Sequence, residues 1–188
     1  MEIDTKTALL NSAEFAVRSK GFDGFSYADL ANDVGIRKAS IHYHFPTKAA
    51  LSAALMTRYH TEFMGRCDEI EETCETAGAR MRALIALYRA ALNDGKTLCL
   101  CVSLIISRES LSNEVTDKIR EFRRMMTRWI ENVFALGKTD HSITGVEDPK
   151  AEARAALALL EGAHLTARAE NSAQTFDDAV EVLAARCL

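Results

Sequence analysis

Residues 26–48 read SYADLANDVGIRKASIHYHFPTK, and the fold follows from how this stretch divides. Ser26 followed by Asp29 has the spacing of a capping box, in which hydroxyl and acid each satisfy a backbone N–H at a helix start. Leu30, Ala31 and Val34 then form the inward face of a short helix, and Gly35 closes it after barely two turns. A second short helix begins near Arg37. Pro46 ends it, because the residue before a proline is pushed out of the α region. Two short helices joined by a tight glycine turn, packed on a preceding helix, make a helix-turn-helix unit. Segment 37–44, RKASIHYH, suits its second helix. Ala39 is small and Ile41 apolar, while Arg37, Lys38, Ser40, His42, Tyr43 and His44 offer donors and aromatic edges. Such side chains can reach base edges and phosphates in a major groove. Thr47 and Lys48, opening the next helix, add backbone N–H groups and an ammonium, a natural phosphate clamp.

Working outward, Leu9, Ala13, Ala16 and Val17 recur at helical spacing on a preceding helix that Gly21 stops. Thr47 caps a longer fourth helix carrying Leu51, Leu55, Tyr59 and Phe63, although Ala50 stands where an acid would complete the box. Further helices are predicted near 78–94, 97–108 and 112–136. The last carries Val115, Ile119, Phe122, Met126, Ile130 and Val133 on one stripe and is expected to end at Gly137. The polar, turn-rich stretch GKTDHSITGVED (137–148) is the chain's best candidate for disorder, and its sequence leaves open whether it is ordered. Asp148-Pro149 opens an alanine-rich helix to about 170, and Thr175 with Asp178 is expected to box a final one. No alternating run long enough for a strand occurs. The expectation is an all-α chain of about nine helices, with a three-helix helix-turn-helix domain at 1–48 and a larger helical domain at 49–188.

The chain has 188 residues, 48% of them hydrophobic and 27% charged, with two prolines and nine glycines. That composition describes a helical globular protein. Its formal net charge of −4 argues against indiscriminate coating of nucleic acid. The first 48 residues hold six Lys/Arg against six Asp/Glu, and there Arg37, Lys38 and Lys48 cluster with His42 and His44. A short positive surface on an acidic protein suits binding at one place on DNA. No apolar run approaches the roughly 18 residues of a membrane span. The start, with Glu2 and Asp4, lacks a secretory pattern. Five cysteines without framework spacing point to a reducing cytoplasm.

The stretch from Leu9 to Leu51 resembles the DNA-binding domain of the tetracycline-repressor (TetR/AcrR) family. Gly21-Phe22, SYADLANDVGI at 26–36 and KASIHYHFPTK at 38–48 fall at the family's spacing. The resemblance implies that Lys38, Ser40, His42, Tyr43, His44 and Lys48 face DNA, while Leu30, Ala31, Val34 and Phe45 hold the unit together. Two departures stand out. Arg37 replaces the Ser or Thr that commonly caps the recognition helix, and His42 stands where a phosphate-contacting Tyr is common. The resemblance also implies that residues 49–188 bind a small-molecule effector and form a homodimer on a palindromic double-stranded operator. For the effector, residues apolar with a polar tip are the candidates: Tyr59, Phe63, Tyr88, Cys101, Phe122, Met126, Trp129 and His164. For the dimer they are Ala153, Ala156, Leu157, Leu160, Ala163 and His164 with Phe176, Val180 and Leu183, unless these are buried within one subunit.

Blander readings stand beside these. Cys99 and Cys101 point about 200° apart on a helix, so they share a metal poorly. Buried packing accounts for most of the five cysteines, with thiol-redox sensing as the alternative. The scattered histidines argue no metal site, and the Arg120, Arg123, Arg124 and Arg128 cluster reads as a solvated face. No nucleophile elbow, Gly-rich phosphate loop or metalloprotease motif is present. A cofactor, a catalytic residue and a membrane partner are therefore not expected. A transcriptional activator, and far behind it a helical-bundle enzyme, remain as alternatives.

Overall fold

The computed structural model describes residues 4–188; Glu2, used above in reading the start of the chain, lies outside them. Among the described residues there are nine α-helices: α1 Thr5–Lys20, α2 Tyr27–Val34, α3 Lys38–His44, α4 Lys48–Thr73, α5 Ala77–Ala91, α6 Leu100–Ile106, α7 Asn113–Asp140, α8 Pro149–Glu170 and α9 Ala173–Ala184. A 3-10 turn at Arg108–Ser110 precedes α7. The only β pairing among them is one isolated bridge between Ile143 and Cys187.

The chain divides into two compact units. One comprises the described part of Met1–Thr61 with Leu100–Arg120, the other Glu62–Cys99 with Glu121–Leu188. The first unit also takes in the start of α4 and all of α6, which pack on α1, together with the opening of α7. Arg58 of α4 donates to Asn11 Oδ1 and Glu14 Oε2, both at 2.7 Å. Ser103 of α6 reaches the Arg18 carbonyl at 3.5 Å, and Ser110 reaches Asp23 at 3.2 Å. Leu9, Ala13, Val17, Leu30, Ile41, Leu51, Leu55 and Met56 are buried in this unit.

Its short helices start and stop where the sequence places the signals. Ser26 and Asp29 form the capping box, with Asp29 Oδ2 accepting the Ser26 N–H at 2.7 Å. The Ser26 hydroxyl, and then its N–H, hold the Asp29 carboxyl below its ordinary value. Gly35 closes α2 in the left-handed region (φ 74°), and its N–H and that of Ile36 both go to the Ala31 carbonyl. Thr47 accepts the Ala50 N–H at 3.0 Å, so α4 is capped without the missing acid. Val34 is only half-buried, unlike Leu30 and Ala31.

In the second unit α8 and α9 lie along one another and both meet α5. His164 is fully buried between them. Its Nδ1 accepts the Cys99 N–H at 3.0 Å, and its Nε2 lies 2.9 Å from the Tyr88 carbonyl. A carbonyl only accepts, so the ring is neutral with its proton on Nε2. Tyr88 stands in the last turn of α5, where carbonyls lack an intrahelical donor, and His164 supplies one.

Three boundaries differ from expectation. Gly137 does not stop α7, which runs on to Asp140. Gly137 is instead where Ile143 packs, and a Cβ there would sit 2.9 Å from that side chain. The stretch after it is not loose. Asp140 and Ser142 accept the Ala77 and Gly78 N–H groups at 2.8 Å each, capping α5. Arg186 ties the Thr144 and Gly145 carbonyls to the Glu152 carboxylate. Finally, α9 begins after Ser172 with no side-chain cap, and Thr175 donates to Glu170 at 2.7 Å, so the Thr175–Asp178 box does not form. Asp148 and Pro149 open α8 as expected.

Two stability outcomes follow. Ser26→Ala should cost about 1 kcal/mol in thermal melting at neutral pH. Because the folded-state pKa of Asp29 is depressed, its contribution is complete above about pH 3.9 and is lost as pH falls through the lowered value. The gap between variant and wild type should therefore narrow in acid. His164→Leu strands the Cys99 N–H in the core and should cost about 1–3 kcal/mol by the same assay.

Candidate nucleic-acid interface

A two-turn helix is too short to persist alone in water, so α3 must be held from behind. Ile41 is fully buried beneath it, and Phe45, which caps its C-terminus, is buried too. The Tyr27 hydroxyl of α2 donates to the Phe45 carbonyl at 2.9 Å. Burial pushes the Tyr27 phenol up to about 12, which keeps it a donor. Arg37 occupies the N-cap and makes no side-chain capping bond, as its residue type implies.

The outer surface of α3 then gathers most of the expected contact residues. Arg37, Lys38, Ser40, His42 and Tyr43 are exposed, Tyr43 to 85%. His42 is oriented from two sides: its Nδ1 lies 3.3 Å from the Pro46 carbonyl and its ring 5.0 Å from that of Tyr27. His44 is half-buried, edge-on to Tyr43 at 5.2 Å. A large exposed aromatic beside two cations and two imidazoles is a surface able to meet phosphates and base edges.

Two expected contacts are otherwise engaged. The Thr47 hydroxyl caps α4. The Lys48 ammonium turns inward and donates to the carbonyls of Phe22 and Phe25 at 2.5 and 2.6 Å. It lies 4.7 and 4.1 Å from the centres of their rings. Burial lowers its pKa, opposed by Asp23 and Asp29. Sequence reading did not single out Tyr27 or Phe25, and took Phe22 only as part of the Gly21-Phe22 pair. The available signal was Phe22 and Phe25 flanking Asp23-Gly24, two large apolar rings that a solvated turn would leave in water.

Of the eight effector candidates, Phe63, Tyr88, Phe122 and His164 meet in the second unit as a chain of edge-to-face rings. Successive centroids are 5.4 Å (Phe122–Phe63), 5.9 Å (Phe63–Tyr88) and 5.4 Å (Tyr88–His164), and Phe176 continues it at 5.5 Å. Met126 and Trp129 are buried on α7, the helix of Phe122, and the Trp129 indole N–H has no acceptor among the described residues. Tyr59 and Cys101 fall in the first unit. A groove of about 440 Å³ lined by Lys138, His141, Thr144 and Glu147 includes none of the eight.

The nine residues expected at a dimer interface all lie within the subunit. Ala153, Ala156, Leu157, Leu160, Ala163, His164, Phe176, Val180 and Leu183 are at most 4% exposed and pack between α8, α9 and α5. Their stripe is the helices' inner face, which leaves them no surface to offer a second copy. The exposed large apolar side chains on these two helices are Leu165 (43%) and Val182 (66%). All five cysteines are free. Burial pushes the Cys67 thiol up to about 12 and raises that of Cys187, the opposite of a reactive thiolate. Among the described residues no three His, Cys, Asp or Glu side chains converge as metal ligands, and no helix is long and apolar enough to cross a membrane.

Residues 9–55 match the family model described as bacterial regulatory proteins, tetR family. The chain is 26% identical over 96 residues to the HTH-type transcriptional regulator TtgR of Pseudomonas putida, a match covering 50% of this chain and 46% of that protein. It thus spans about half the length of the curated relatives it matches. Across nearly the whole chain it superposes on a TetR-family transcriptional regulator from Agrobacterium tumefaciens, with a TM-score of 0.91, 29% identity, and 97% and 96% of the two chains covered. A TetR transcriptional regulator from Legionella pneumophila shares the fold, with a TM-score of 0.88 at 22% identity over 100% of both chains. These relatives are regulators rather than enzymes. The capped α2, the Gly35 turn and the exposed α3 all lie inside the segment matched to the tetR family model, and the chain shares the fold of TetR-family transcriptional regulators.

Proposed function

We propose that the chain is a ligand-released repressor that docks α3 in the major groove of a palindromic operator. The observation carrying this reading is α3 itself, a short helix pinned on one side while Arg37, Lys38, Ser40, His42 and Tyr43 stand exposed on the other. One such helix seldom supplies enough affinity. Paired half-sites about 34–36 Å apart call for a two-fold symmetric homodimer. The exposed Leu165 and Val182 on α8 and α9 support placing the second copy against the outer face of those helices. For release, the aromatic chain from Phe122 to His164 supports a planar, apolar effector in the second unit. α4 and α7 each carry residues of both units, so either helix can pass a ligand-induced tilt to α3. Coupling needs only an effector that favours the non-binding state, typically by about 1–3 kcal/mol.

The test is binding to the promoter DNA flanking the chain's own gene, with salt varied. Selective binding that weakens as salt rises is expected; affinity no better than for random DNA would refute the reading. Arg37→Ala with Tyr43→Ala should weaken operator binding at least about tenfold. Both side chains are exposed, so the melting temperature should stay within about a degree or two. Leu165→Glu with Val182→Glu should turn a dimer into monomers in sedimentation experiments while helicity is kept; an unchanged dimer would place the interface elsewhere.

A further inference from the structure

The two carbonyls that Lys48 engages belong to the turn just before α2, and Lys48 itself is the first residue of α4. Everything between these two points, residues 26–47, is α2, the Gly35 turn and α3. One ammonium therefore closes both ends of the helix-turn-helix onto each other. The Tyr27 hydroxyl on the Phe45 carbonyl bridges the same segment a second time, further in. Two of the three ammonium protons are taken by carbonyls, and the rings of Phe22 and Phe25 cover the group. Asp23 and Asp29 are the carboxylates whose charges it feels, and they repel an approaching phosphate.

We propose that Lys48 is a positioning residue that sets the attitude of α3, and that it does not neutralise a DNA phosphate. This deepens the reading of α3 as the DNA-binding element and rests on it. The chemistry distinguishes the two roles. A cation on phosphate releases counterions, so removing it makes the salt dependence of binding shallower by about one unit of slope. A clamp on backbone carbonyls releases none, so its removal lowers affinity equally at every salt concentration.

The experiment compares wild type with Lys48→Met, which keeps the alkyl stem on the two rings but lacks the ammonium. Operator affinity is measured across a salt series well below the melting temperature, and native-state hydrogen exchange is measured without DNA. Lys38→Ala serves as the reference for a lost surface cation. The expected result is an affinity loss of about tenfold, on the scale of one charge-assisted hydrogen bond, with the wild-type salt slope. Amides of residues 26–47 should lose protection. Should Lys48→Met fail to fold, Lys48→Arg decides, since it keeps the charge but cannot seat between the same carbonyls. It should bind more weakly with unchanged slope. A shallower slope in Lys48→Met with exchange unaltered, or full wild-type affinity in either variant, would overturn the proposal. If the wild type binds no DNA selectively, the DNA reading fails on its own, and exchange over 26–47 alone then decides the clamp.

Discussion

A helix of seven residues cannot keep its own shape in water, and the candidate interface is built on one. The constraint is met by burying one residue under each turn, Ile41 and Phe45. Polar side chains from outside the helix then bond to backbone carbonyls. Tyr27 and Lys48 both end on main-chain oxygens, at Phe45 and at Phe22 and Phe25. A carbonyl acceptor is present whatever side chain its residue bears, so these anchors do not depend on the residues of the exposed surface. Lys38, Ser40 and Tyr43 are thereby left exposed on the outer surface, while Ile41, Tyr27 and Lys48 hold α3 from behind.

What could be read from the residues alone follows the range of the interactions concerned. Caps are local. Ser26 with Asp29, Gly35, Thr47 and Asp148-Pro149 are each decided within four residues, and each stands where its pattern places it. The misread boundaries have causes that lie five and six residues away, in a neighbouring element and beyond the reach of a cap. Gly137 has the look of a helix stop, yet its missing side chain serves the approach of Ile143. Thr175 and Asp178 have box spacing, but Glu170, in the preceding helix, takes the threonine hydroxyl. The same limit explains the contact sets. An apolar stripe on α8 shows which face is covered, not whether α9 or a second copy covers it. A lysine on a long apolar stem can place its charge outward or inward. For Lys48 the choice was made by two carbonyls more than 20 residues away.

The second unit solves its polar burial in the same manner. His164 on α8 reaches the end of α5 with one nitrogen and the approach to α6 with the other. Asp140 and Ser142 cap α5 from the end of α7. In each case a side chain from one helix completes the unsatisfied end of another, which makes the packing of helix ends as directional as a hydrogen bond. Apolar stripes alone tolerate sliding. Brackets on helix termini do not, and the ligand-driven switching proposed for this domain would draw on that discreteness.

Charge then explains why the attitude of α3 matters so much. The chain carries a formal net charge of −4, so its long-range field does little to draw it to a polyanion. With the Lys48 ammonium committed to carbonyls, the cations on the recognition helix reduce to Arg37 and Lys38. Counterion release, which dominates the binding of basic proteins to any DNA, scales with the number of phosphates neutralised, and α3 with its N-cap offers two cations, Arg37 and Lys38. In the proposed repressor, selective affinity comes instead from fit: side chains arriving at base edges in the right register, twice over in a symmetric pair. Fit of that kind is lost when a helix tilts by a few degrees, whereas charge attraction is not. With Lys48 acting as the clamp proposed above, an ammonium that could attract any DNA serves instead to hold α3 still, which favours recognition of a particular sequence.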